Sequence, residues 1–307
     1  MANTYKPGVI PVTPRDASDA NLIARDYLDS LQVEMRIMDA VEADTTFELF
    51  GKTFTTPIMI PAFSHLHKKG EDGLTQMEEY AKAAHTIGAV NFVGMESNET
   101  FSAISAQCPG SIRIIKPFAD HDRVFSEIAF AKEQGALAVG MDIDHVFQAN
   151  GSYDVVDGSQ MGPITTEQLA EYVKAAGIPF IAKGVLSVTD AVKCVKAGCA
   201  AIMVSHHHGR LPFAVAPVMV LPDIKDAVGD SVKVFVDCSI SSGYDAYKAM
   251  ALGADAVCVG RGILDPLLKE GTEGVIKKMT KMNEELKLMM GFTNTPTLAD
   301  FDPSVIY

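Results

Sequence analysis

Short apolar runs alternate with amphipathic stretches from residue 57 to about residue 290. The runs at 57–61, 90–93, 112–116, 138–142, 179–183, 200–204, 233–237 and 256–260 read as strands with both faces buried. Between and after them, the stretches 72–87, 98–107, 121–134, 165–176, 187–197, 217–228, 242–252 and 262–290 carry apolar residues at helical spacing. Thr165-Thr166-Glu167-Gln168 and Ser187-Val188-Thr189-Asp190 set a hydroxyl before a first turn that holds acid or amide side chains, where free backbone amides need acceptors. Gly88, Gly135, Gly177, Gly198 and Gly253 follow helical stretches, where a left-handed residue closes a helix. The pattern predicts an α/β protein: a (β/α)8 TIM barrel over 57–307 with its C-terminal helix, an open doubly wound sheet being the alternative. Residues 1–56 are expected to form an N-terminal segment with a helix and a small hairpin around 47–54, and no linker marks a second domain.

Composition narrows the partners. Of 307 residues 48% are hydrophobic, enough for a large core, and the net charge is −13 with no dense Lys/Arg block. Nucleic acid is therefore not expected as a partner, because phosphate backbones demand a cationic face. No apolar stretch approaches the roughly 20 residues of a membrane span, and Met1 to Pro7 lack the regions of a signal peptide. The five cysteines (Cys108, Cys194, Cys199, Cys238, Cys258) form no CxxC pair, as expected of a reducing compartment, so the chain is expected in the cytoplasm.

Candidate chemistry collects at one end of the predicted strands, the end where barrels carry their active sites. Every histidine except His85 follows a predicted strand end: His65 and His67, His121, His145, and the run His206-His207-His208. Lys116, Asp142, Asp144, Lys183, Arg210, Asp237 and Arg261 share that rim. Val204-Ser205-His206-His207-His208-Gly209-Arg210 sets imidazoles that can move a proton near neutral pH beside a guanidinium that can clamp an anion. Asp237-Cys238-Ser239-Ile240-Ser241-Ser242-Gly243 and Val259-Gly260-Arg261-Gly262 follow the last two strands. Small residues there let backbone amides approach a phosphate at a helix start.

Together, Ile181-Ala182-Lys183-Gly184-Val185-Leu186, Ser205 to Arg210, Asp237 to Gly243, Ala251-Leu252-Gly253-Ala254-Asp255-Ala256-Val257 and Gly260-Arg261 resemble the FMN-dependent 2-hydroxy acid oxidoreductases. That family includes glycolate oxidase and L-lactate oxidase and dehydrogenase. The resemblance implies an oxidoreductase with FMN as cofactor, no metal, a small anionic 2-hydroxy acid as substrate, and a homo-oligomer, a tetramer in many relatives. It implies His207 as the base that removes a proton as hydride leaves for the flavin, Asp142 as its orienting carboxylate, Arg210 as the substrate clamp, and Lys183 as a positive charge at the reduced flavin. Pro61, Ala62 and Phe63 would lie against the flavin through their backbone, and Asp237, Ser239, Ser241, Gly260 and Arg261 would line the rest of the cofactor site.

The chain also departs from that pattern. His206 and His208 stand where the family has Asn and Gly, and Cys238, Ser239, Ser241 and Ser242 replace two glycines and two arginines. Phe118 aligns with a substrate-binding tyrosine and Lys116 with a glutamine, and a second arginine is missing near Ala149. Half of the family's substrate-holding set is gone, so a different substrate is expected, with His206, His208 and Lys116 meeting a larger or more acidic group. Two alternatives remain open: an FMN barrel with isomerase or reductase chemistry, and a metal-dependent hydrolase or lyase in which His145 or His206 completes a site with His65 and His67.

Overall fold

The structure, a computed structural model, describes residues 16–70 and 72–307; the reading of Met1 to Pro7 lies outside them. Eight parallel strands close into a barrel: β1 (Ile58–Phe63), β2 (Asn91–Val93), β3 (Ile112–Ile115), β4 (Val139–Asp142), β5 (Phe180–Val185), β6 (Ala201–Val204), β7 (Lys233–Val236) and β8 (Ala256–Cys258). Each strand pairs with the next in sequence, and β8 returns to β1 through Val257 opposite Ile58 and Cys258 opposite Met59. That closure excludes the open doubly wound sheet.

A helix α1 (Ala20–Ser30) precedes the barrel, and α2 (Gln76–Ile87), α3 (Asn98–Gln107), α4 (His121–Glu133), α5 (Thr166–Ala176), α6 (Val188–Ala197), α7 (Pro217–Val228), α8 (Gly243–Ala251) and α9 (Leu264–Phe292) follow the strands in turn. The local signals hold. Thr165 caps α5 in a reciprocal box with Gln168, Ser187 caps α6 through the amide of Asp190, and Gly88, Gly177 and Gly198 close their helices with positive φ. The last predicted helix differs: a short 3-10 turn at Arg261–Ile263 precedes it, and Gly271 breaks it with non-helical backbone.

The core has two shells. One lies between strands and helices; the other fills the barrel with Met59, Phe92, Ile114, Ile181, Met203 and Phe235. The antiparallel hairpin Phe47–Leu49 with Lys52–Phe54 sends Phe47 and Leu49 into this inner shell beside the strand-start residues Ile112, Ala138 and Ala256. It plugs the barrel end remote from the strand tips, which leaves those tips free to carry polar groups.

Candidate active site

Three adjacent strand tips set up a buried charge row. Asp142 ends β4 and lies in register with Lys183 of β5, while Lys116 directly follows β3. Lys116 Nζ reaches Asp142 Oδ2 at 2.6 Å, and Lys183 Nζ lies 3.0 Å from Asp142 Oδ1 and 3.8 Å from Asp237 Oδ2. Burial alone would push the Asp142 carboxyl up; the ammonium groups of Lys116 and Lys183, with His207, outweigh it and hold Asp142 well below the usual carboxylate range. Burial likewise works against the Lys183 ammonium, yet Asp142, Asp237 and Asp144 raise it above the usual lysine value. The row is a fixed set of charges.

The histidine run after β6 turns sharply. His207, His208 and Gly209 all have positive φ, and His207 N–H is held by Ser205 Oγ at 2.9 Å. Two carboxylates, Asp142 and Asp144, flank the His207 ring. The carboxylate in contact with His207 Nδ1 is Asp144, at 3.0 Å, whereas Asp142 is 3.8 Å away. The reason is competition: both Asp142 oxygens face lysines. Asp144 reaches the histidine because residue 184 is glycine at φ +92°; a Cβ there would lie 2.3 Å from the Asp144 carboxyl carbon.

Arg210 is not a free clamp. Its Nη2 lies 3.0 Å from Asp154 Oδ2, and the same oxygen meets His145 Nε2 at 2.9 Å. Burial, then the charges of Lys116, Arg210 and His207, push the His145 imidazole down to about 4 against the opposing pull of Asp142. His145 stacks edge-on to His207 with ring centroids 5.6 Å apart. His206, expected at the substrate, is buried instead and accepts the Gly209 N–H on Nδ1. Lys116 is occupied by Asp142, and His121 starts α4, where it bonds the Tyr172 hydroxyl of α5.

The remaining expected residues converge on one cavity of about 450 Å³, within the range of ligand pockets. Pro61, Ala62, Phe63, Lys183, Asp237, Ser239, Ser241, Gly260 and Arg261 all line it, with His207 and His208. The sequence reading missed Asn21 and Arg25, which α1 contributes, and Ser64. Arg25 donates to Ser239 O at 2.9 Å and to Asp245 Oδ1 at 2.7 Å. Asp245 Oδ2 accepts the amides of Ser241 and Ser242, and Arg25 also pairs with Asp29 at 2.7 Å, which leaves its buried Nε without a partner beside these loops; Arg261 is the other guanidinium lining the cavity. Cys238 and Ser239 hold φ of 69° and 59°, so the loop keeps a glycine-type turn without glycine.

An apolar wall, a buried lysine, a histidine with its carboxylate, Arg261 after the last strand and Arg25 from α1 fit a flavin mononucleotide, and define an oxidoreductase-type barrel site. The sequence model of the FMN-dependent dehydrogenases matches residues 17–167 and 148–307, and the chain belongs to that family. It is 27% identical over 308 residues to a 2-hydroxyacid oxidase of Dictyostelium discoideum, covering 90% of this chain and 79% of the relative. An L-lactate oxidase of Roseobacter sp. (strain GAI101) is 35% identical over 158 residues, 51% of this chain and 43% of that protein. A solved mandelate oxidase variant with benzoyl-formic acid superposes with a TM-score of 0.84 at 25% identity, covering 93% of this chain and 89% of the other. Another, carrying a monooxide FMN adduct, gives 0.81 at 26%, covering 94% and 91%.

Proposed function

We propose that this chain oxidises a 2-hydroxy acid with FMN seated in the cavity and His207 as the base. The observation that carries the reading is that His207, backed by Asp144, opens onto the same cavity as Lys183 and the loops after β7 and β8. With Nδ1 engaged by Asp144, Nε2 is the nitrogen left to take the substrate hydroxyl proton, and the Asp142–Asp144 pair stabilises the imidazolium that results. Lys183 adds a positive charge to the cavity wall, and Arg25, Arg261, Ser239 and Ser241 are positioned to hold the phosphate. Bound FMN would supply the two-electron acceptor. A substrate carboxylate would have to share Arg210 with Asp154.

Purified protein tests this directly. The visible flavin band should be present and should bleach anaerobically with at least one member of a panel of 2-hydroxy acids. A protein that neither carries nor takes up FMN would overturn the reading.

Five unpaired cysteines support a cytoplasmic location, and no described helix is long and apolar enough to cross a membrane. Exposed Ile37, Val41, Leu288 and Phe292 around one groove support a homo-oligomer, which light scattering can check. The hairpin outside the barrel supports a boundary near residue 56.

A further inference from the structure

We infer that His65, His67 and Glu96 form a divalent transition-metal site on the barrel rim, separate from the flavin chemistry. Their donor atoms all lie within 4.8 Å of one another, with His67 Nε2 and Glu96 Oε2 2.8 Å apart. Ligands of a tetrahedral zinc-type ion sit about 2.0–2.2 Å from it and so roughly 3–4 Å from each other, a geometry reached here by small side-chain rotations.

The local sequence explains the placement. Leu66 turns into the core, and the histidines on either side of it both stand exposed at the tip of β1. Glu96 follows β2 directly before the Ser97 cap of α3, with its side chain only 1% exposed. One of its oxygens accepts the backbone N–H of His65 and the other faces His67. Among the described residues no lysine or arginine pairs with this carboxylate; the nearby Arg113 donates to the Glu96 backbone oxygen and spends its charge on Glu127. A buried carboxylate without a fixed cation is costly. A divalent ion would supply the missing charge.

The other histidine–carboxylate group, Asp142 with His145 and His207, is compact enough to invite the same reading. Two ammonium groups already face Asp142, so an incoming cation would meet repulsion there. The histidine pair of the metal-dependent alternative thus lies beside Glu96 rather than His145 or His206. Imidazole and carboxylate donors suit zinc, cobalt or nickel. Three protein ligands leave a coordination position open to water.

The test is calorimetric and spectroscopic titration of the flavin-loaded, chelator-washed protein with Co²⁺ and with Zn²⁺. One ion should bind per chain. His67→Ala should weaken it by more than the roughly 10–100-fold typical of losing a mere supporting partner, while His85→Ala on the exposed face of α2 should bind as the parent does. Glu96→Gln should behave like His67→Ala; should that buried change disturb folding, the exposed His67 variant decides. No binding by the parent at submillimolar ion overturns the site. So does binding that survives the His65→Ala/His67→Ala pair, or that is lost in His145→Ala.

Discussion

At the tips of β4, β5 and β6, Asp142, Asp144, His145 and His207 share space with Lys116 and Lys183; at the tips of β1 and β2, His65, His67 and Glu96 share it with no ion-pairing lysine or arginine among the described residues. The donor types are the same. What differs is the fixed positive charge. In the first group the lysines keep Asp142 ionised and occupied, which leaves Asp144 to orient a histidine that can take and return a proton. In the second the carboxylate meets an imidazole and a backbone N–H, and the arrangement favours a cation from solution. Neighbouring charge decides which chemistry a cluster of histidine and carboxylate can support.

The sharpest way to break this contrast is to remove the base. His207→Ala should slow anaerobic flavin reduction by roughly 10²–10⁴-fold, the usual contribution of a positioned acid–base group, with FMN still bound. If bleaching keeps the parent rate, His207 is not the base. Asp142→Asn comes next. It leaves two buried ammonium groups facing an uncharged amide, and losing one partner of a buried ion pair costs about 3–5 kcal/mol of stability; chemical denaturation measures it. Asp144→Asn should leave stability closer to that of the parent and lower the reduction rate instead. The reverse pattern would restore Asp142 as the orienting carboxylate.

Much of the barrel is legible in the sequence because its signals are local. Apolar runs, hydroxyl caps such as Thr165 and Ser187, and glycines with positive φ each act within a few residues. The cofactor-lining loops follow from the barrel rule itself, which places residues after β1, β7 and β8 at one end. What escaped depends on distant contacts. Arg25 meets Ser239 across 214 positions and comes from a helix outside the barrel. Asp154 reaches Arg210 because the segment after β4 folds back through a small hairpin at Val155–Val156 and Ser159–Gln160. The preference of His207 for Asp144 depends on room made by Gly184 and on lysines from two other strands. None of these leaves a periodic trace.

A smaller effect is expected where α1 meets the cofactor loops. Arg25 is the guanidinium that stands near loops in which Ser241 and Ser242 replace the family's arginines. Arg25→Ala removes a charge-assisted contact of the kind worth about 1.5–3 kcal/mol, so FMN should bind roughly 10–100-fold more weakly, as read by flavin fluorescence on dilution. Unchanged retention would move the phosphate away from α1.

His145 gives the mildest and most specific outcome. Its imidazole lies next to the base but is pushed from an ordinary value near 6.5 down to about 4 by burial and by Lys116, Arg210 and His207. As pH falls below about 6.5, the unfolded chain takes up a proton at this position and the folded protein does not until about 4. Stability supplied by the neutral ring is therefore complete above that upper value and drains away as acid is added through the window. His145→Gln removes that one proton difference, so its unfolding midpoint should fall less steeply with acid than the parent's. Parallel stability curves would mean that Asp154 keeps His145 protonated, and that the charge balance around the base is more positive by one than the geometry implies.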